Sequence, residues 1–267
     1  MSGAALSILA EVRKRVEAEE SAVVATVVSG PAGIGSRMLI YPDGTSRGTL
    51  GSAQLDGMAA IDYRERLLKA ESKTVEYPSQ DGPGGPGEPT LVFYDVYPSP
   101  DRLLIFGGVH AGVPLVELAK VLGFRVTVVD ARGQWANRER FPKADEIVVG
   151  YADEFLATAR MDLSTYVVVL THDPKLDDPA IIEAVKHDVR YIGAIGSRRT
   201  HAGRIERLTG LGVTDEQLAK IHAPIGLDIR ARNPEEIALS ILGEMIAAKN
   251  GVDTLGRHAP HRVPAAV

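Results

Sequence analysis

The stretch from residue 102 to residue 196 constrains the fold most tightly. Short apolar, β-branched runs, RLLIF (102–106), RVTVVD (125–130), DEIVVG (145–150), TYVVVL (165–170) and RYIGAIG (190–196), alternate with segments of helical pattern such as AGVPLVELAKVLG (111–123) and DPAIIEAVKHD (178–188). Strand, helix, strand grammar of this kind needs crossover connections, which place helices on the faces of a parallel sheet. The expected architecture is α/β, with a Rossmann-like doubly wound parallel sheet over residues 100–250. Pro114 suits the first turn of its helix, where a missing N–H costs nothing.

The remainder reads differently. MSGAALSILAEVRKRVEAEE has the pattern of an amphipathic helix, AVVATVV (22–28) that of a strand, and SRMLIYPDGTSRGTL (36–50) that of a hairpin turning at Pro42, Asp43 and Gly44. A helix is expected over 53–70, a flexible Gly/Pro-rich loop over 77–89, and a strand at TLVFYDVYP (90–98). Residues 1–99 are thus expected to form a small N-terminal α+β domain. A last helix is expected over 233–249, with Asn233 as N-cap, Pro234 as first residue and Glu236 completing a capping box; Ala238, Ile241, Leu242, Met245 and Ile246 would face the core. Residues 251–267 read as a flexible tail.

Composition bounds the class. With 45% hydrophobic and 24% charged residues the chain is an ordinary globular protein, and a net charge of -5 without a basic stripe argues against nucleic acid or anionic membrane as partner. It has no cysteine, so disulfides, thiolate metal sites and cysteine nucleophiles are excluded, and a cytoplasmic location is expected. The N-terminus lacks a signal-peptide core, and no run reaches the roughly eighteen apolar residues of a membrane span.

Polar motifs follow the apolar runs: GGVHAG (107–112), DAR (130–132), THDPKLDD (171–178) and GSRRTH (196–201). In a doubly wound sheet the carboxyl ends of the strands share one edge, where ligands bind, so these motifs are expected to meet in one cleft. Gly107, Gly108 and Gly112 suit a phosphate loop that presents free helix-terminal N–H groups, but Val109 stands where a dinucleotide loop wants glycine; a ligand-free tight turn fits equally. His110 is either a cap or a reagent. Asp130 sits at the spacing of a ribose-binding carboxylate, or caps a turn, and Arg132 adds a cation. Thr171, His172 and Asp173 make either an acid–base pair in which Asp173 orients His172, or an Asx-type turn. Gly196 and Ser197 precede Arg198 and Arg199, whose charges oppose the helix dipole and ask for an anion between them. The motif scan yields no metal site.

Taken together, FGGVHAG, VVDAR, FPKADEIVV, VLTHDPKLD, YIGAIGSRRTHAGRI and HAPIGLDIRARNPEEIALSILGEMIA closely resemble the C-terminal half of the XdhC/CoxI family, accessory proteins of xanthine dehydrogenase and carbon monoxide dehydrogenase. GSRMLIYPDGTSRGTLGSAQLD resembles that family's smaller domain. The resemblance implies a non-catalytic maturation factor that binds the molybdenum cofactor, of molybdopterin type, as cargo. It would support sulfuration of that cofactor and its insertion into a molybdenum hydroxylase client, with a sulfurtransferase and a second copy of the chain as further candidate partners. It implies cofactor binding by Gly107, Gly108, His110, Gly112, Asp130, Arg132, Thr171, His172, Asp173, Gly196, Ser197, Arg198 and Arg199, with a further loop at 222–228. Two departures stand out: Val109 lies within a Gly-Ala-Gly-His pattern of many members, and Gln54 occupies a common cysteine position. An NAD(P)-dependent oxidoreductase using the same cleft, and an interaction scaffold with a vestigial cleft, are the alternatives.

Overall fold

The computed structural model describes residues 3–31, 33–78, 88–252 and 254; most of the Gly/Pro-rich loop and most of the tail expected at the C-terminus lie outside the described residues. The chain divides into two compact units, Met1–Ser99 and Pro100–Val267.

In the first unit, helix α1 (Gly3–Glu17) is followed by strands β1 (Ala22–Ser29), β2 (Arg37–Ile40) and β3 (Ser46–Gly48), helix α2 (Ala53–Lys69), and strands β4 (Lys73–Tyr77) and β5 (Thr90–Tyr97). The strands form an antiparallel sheet in the order β3-β2-β1-β5-β4. Ile8 and Val12 of α1 pack on Ala22, Val24 and Leu39. Leu55, Ala59, Tyr63 and Leu67, four residues apart along α2, are its buried side. The hairpin closes where Asp43 accepts hydrogen bonds from the Thr45 N–H and hydroxyl. Strand β4 was not expected: KTVEY is a mostly exposed edge strand, so its apolar content is too low to mark it.

The second unit runs β6 (Arg102–Phe106), α3 (Gly112–Val121), β7 (Arg125–Asp130), β8 (Glu146–Val149), α4 (Ala152–Leu156), β9 (Thr165–Val169), α5 (Pro174–Ala184), β10 (Tyr191–Ala194), α6 (Arg198–Gly210), α7 (Asp215–Leu218), β11 (Ile221–His222) and α8 (Pro234–Lys249). All its strands are parallel, in the order β11-β10-β9-β6-β7-β8. That is the doubly wound Rossmann order, with its switch point between β6 and β9. Alternate strand residues serve opposite faces. Leu103, Ile105, Val126, Val128 and Val168 pack with α3 and α8, whereas Leu104, Phe106, Val129, Val167 and Val169 pack with α5 and α6. The α/β expectation therefore holds.

Helix α8 departs from its expected pattern in two ways. Asn233 accepts the Glu236 N–H at 2.8 Å, but the Glu236 carboxylate takes the Arg232 N–H at 2.7 Å rather than that of the cap, so the box is shifted one residue outward. Ala238, Ile241, Leu242 and Met245 are buried, yet Ile246 is 38% exposed and Glu244 is fully buried. Glu244 accepts the Tyr191 hydroxyl at 2.5 Å and the Gly226 N–H at 2.8 Å, and lies 3.4 Å from His222 Nδ1. These partners explain how a carboxylate can occupy a core position.

Candidate functional site

The polar motifs line the carboxyl edge of the parallel sheet. At the switch point Gly107 leaves β6 with φ +108°, its N–H donating to the Val129 carbonyl oxygen at 2.9 Å. A Cβ on Gly107 would lie 2.7 Å from Thr171 Cγ2, and one on Gly108 would lie 2.2 Å from the Trp135 carbonyl oxygen. Both glycines are thus accounted for by the protein's own chain, without a pyrophosphate pressing on them. The free N–H groups expected of this turn precede α3 and do not lie within it. Gly112 donates to the Val109 carbonyl at 3.0 Å and Val113 to that of His110 at 3.3 Å, while Pro114 has no N–H. The N–H groups left without an acceptor among the described residues are those of Val109, His110 and Ala111, just before the helix.

Asp130 closes this turn from below. It is 4% exposed; one oxygen accepts the Arg132 N–H at 2.9 Å and Nε at 2.8 Å, the other the Gly108 N–H at 2.9 Å and Arg132 Nη2 at 2.8 Å. Burial would raise its carboxyl, but these donors outweigh burial and hold it below the usual carboxylate range. A carboxylate has about four lone-pair sites, so none remains for the ribose hydroxyl that the spacing suggested. The cavity bounded by Gly107, Asp130, Tyr151 and Thr171 holds only about 20 Å³. That is room for a water molecule, against the roughly 300 Å³ or more of a small-molecule site.

Trp135 and Arg140 belong to this turn, and the motif reading missed them. The Arg140 guanidinium lies 4.8 Å and that of Arg132 5.4 Å from the Trp135 ring centroid, and the His110 ring meets the same indole edge-on at 5.8 Å. Arg140 Nη2 also donates to the Gly108 carbonyl at 3.2 Å. Trp135 is the sole tryptophan of the chain, a signal available in the sequence.

At the end of β9, Thr171 hydrogen-bonds through Oγ1 to the buried Asp177 carboxylate. Asp173 does not orient His172. Its carboxylate accepts the Lys175 N–H at 3.0 Å and caps α5, while His172 is exposed, with φ +63° and no side-chain hydrogen bond among the described residues. Arg204 of α6, 1% exposed, donates to the Ile195 carbonyl at 2.9 Å and lies 3.6 Å from Asp177, joining the ends of β9 and β10. Burial raises the Asp177 carboxyl despite the Thr171 hydroxyl and Arg204.

Beyond β10 the edge opens. Ser197 caps α6 by accepting the Thr200 N–H, and the exposed Arg198 and Arg199 side chains make no hydrogen bond or ion pair among the described residues. Gly196 and Arg198 line a cavity of about 340 Å³ whose other walls include Pro224, Gly226, Asp228 and Arg230. The single cleft expected from the motifs is therefore divided. Gly107, Asp130 and Thr171 enclose a minor hollow, whereas Gly196 and Arg198 join the 222–228 loop at a larger one. In the first unit, Gln54 lines a hollow of about 240 Å³ with Gly51, Ser52 and Met58. Among the described residues no group of three or more His, Cys, Asp or Glu gathers to hold a metal, and no helix is long and apolar enough to cross a membrane.

Comparison with known proteins covers both units. Residues 103–245 match the family model described as the XdhC Rossmann domain, and residues 15–78 that of the XdhC and CoxI family. An uncharacterized protein, YqeB, of Escherichia coli strain K12 is 27% identical over 221 residues, 80% of this chain and 40% of YqeB. A Bacillus subtilis strain 168 protein named as a probable subunit of xanthine dehydrogenase is 33% identical over 157 residues, 59% of this chain and 45% of that protein. The molybdenum cofactor insertion chaperone PaoD of Escherichia coli strain K12 is 37% identical over 93 residues, 35% of this chain and 29% of PaoD. The matched stretches thus span less than half of each of these relatives. A crystal structure of a xanthine dehydrogenase from Bacillus halodurans shares the fold, with a TM-score of 0.52 at 22% identity over 92% of this chain and 97% of that one. With a family model covering more than half its length, the chain belongs to the XdhC and CoxI family.

Proposed function

We propose that this chain is a maturation factor that binds the molybdenum cofactor along the carboxyl edge of its parallel sheet and helps insert it into a molybdenum hydroxylase client of the xanthine dehydrogenase or carbon monoxide dehydrogenase type. The observation that carries the reading is the pair Arg198 and Arg199 at the start of α6, whose side chains have no partner among the described residues. Two cations there oppose the helix dipole, an arrangement that an anionic ligand relieves. The molybdenum cofactor is a pterin with a terminal phosphate, so its chemistry suits such an edge. A relative named as a molybdenum cofactor insertion chaperone and another named as a probable part of xanthine dehydrogenase support the same direction.

The chain has no cysteine, so sulfur for the cofactor would come from a sulfurtransferase. A second copy of the chain is the other partner proposed. The NAD(P) alternative keeps the strand order in its favour, but the saturated Asp130 carboxylate and the 20 Å³ hollow count against it. The test is anaerobic titration of the purified chain with molybdopterin released from a molybdoenzyme. Saturable binding is expected; absence of binding, together with no pterin in the protein as purified, rejects the proposal.

A further inference from the structure

Three charged side chains line the 340 Å³ cavity: Arg198, Asp228 and Arg230. Among the described residues none of these side chains makes a hydrogen bond or an ion pair, although opposite charges share one cavity. At the β7 end, by contrast, Asp130 is paired with Arg132. The polar atoms of Arg198, Asp228 and Arg230 therefore remain open to a third group, in a hollow whose size falls within the roughly 300–1,000 Å³ typical of small-molecule sites. Arg230 adopts a left-handed backbone, φ +57°, which side-chain-bearing residues seldom take unless their surroundings impose it.

The cavity wall is anchored from inside. Gly226 donates its N–H to the buried Glu244 carboxylate, which also accepts the Tyr191 hydroxyl, so the loop carrying Asp228 and Arg230 is tied to β10 and α8. Ser240 of α8, another lining residue, bonds back to the Ile237 carbonyl. The pocket is held by core elements and does not depend on loop contacts alone.

We infer that this cavity, and not the glycine turn, is the ligand pocket, with Arg198 and Arg230 taking a phosphate monoester and Asp228 pairing with the donor edge of a 2-aminopyrimidinone ring. Guanidinium groups complement phosphate oxygens, and a carboxylate complements two adjacent ring N–H donors. The inference rests on the proposed function for the identity of the ring, but the phosphate position stands on the cavity itself.

The full chain would be titrated with inorganic phosphate and with molybdopterin, following thermal unfolding and pterin fluorescence. The Arg198→Ala/Arg230→Ala double variant is expected to weaken both by roughly tenfold or more. Asp228→Asn is expected to weaken molybdopterin alone. Lys186→Ala/Lys220→Ala removes the same charge at the opposite edge, before β10 and β11, and is expected to bind as the wild type does. Undiminished binding by the arginine variant, or no phosphate binding by the wild type, overturns the inference. Phosphate binding that depends on the arginines, without molybdopterin binding, would instead overturn the proposed function and the ring assignment while leaving the phosphate site in place.

Discussion

Two strand ends of the same parallel sheet have been put to different uses. At β6 and β7 the chain folds its own groups into the position a dinucleotide would take: a carboxylate accepts the Gly108 N–H, the Trp135 backbone presses on Gly108, and the space left is about 20 Å³. At β10 and β11 the buried carboxylate lies beneath the surface, holding Gly226, and the charges above it are left open around about 340 Å³. Both regions use a buried carboxylate to fix a loop. In one the carboxylate closes the site, in the other it supports one, so strand order alone does not say where a ligand goes.

The largest effect is expected where the supporting carboxylate is removed. Glu244→Ala would strand the Tyr191 hydroxyl, the Gly226 N–H and His222 without their shared acceptor, at a cost of about 3 to 5 kcal/mol read from urea unfolding. A loss below about 1 kcal/mol would show that the anchor is dispensable. Burial pushes the Glu244 carboxyl up, but hydrogen bonds from His222, Tyr191 and Gly226 outweigh it and hold it down to about 2, below the ordinary 4.5. Its folded value is the lower one. The stability it contributes is therefore full above pH 4.5 and declines as the pH falls from there towards 2, and Glu244→Gln should flatten that part of the urea-midpoint profile.

Next in size is Asp130→Ala, which leaves the buried Gly108 N–H unmet and frees Arg132; a loss of about 2 to 3 kcal/mol is expected by the same measurement. Ligand affinity in that variant, corrected for the folded fraction, separates the two strand ends, because the closed turn should matter for folding alone. Trp135→Phe keeps an aromatic face under Arg132 and Arg140 and should cost only about 0.5 to 1 kcal/mol. The smallest effect expected is that of NAD or NADP on the unfolding midpoint. A bound ligand stabilises by about 2.7 kcal/mol at a hundred times its Kd, so an unchanged midpoint at millimolar dinucleotide is the expected result, and a clear rise would reopen the glycine turn as a site.

The central strands and their polar ends were legible because buried parallel strands are continuous apolar runs, as in TYVVVL. Strands β4 and β11 were not, one being an exposed edge and the other only two residues long. The candidate residues were found by the rule that strand ends carry ligands, and that rule placed them on one edge. It could not distinguish an Asp130 that meets a ribose from one saturated by Arg132 and Gly108, since the difference lies in tertiary hydrogen bonds. Glu244 was hidden inside an apolar helical stripe, and Arg230 follows no strand or periodic pattern. Their roles come from contacts between α8, β10 and the 222–228 loop.

Hydrogen–deuterium exchange of the full chain with and without molybdopterin tests the division between the two strand ends most directly. Slowed exchange is expected at 195–200 and 223–231, with little change at 107–113 and 130–135. Protection confined to the latter segments would contradict it.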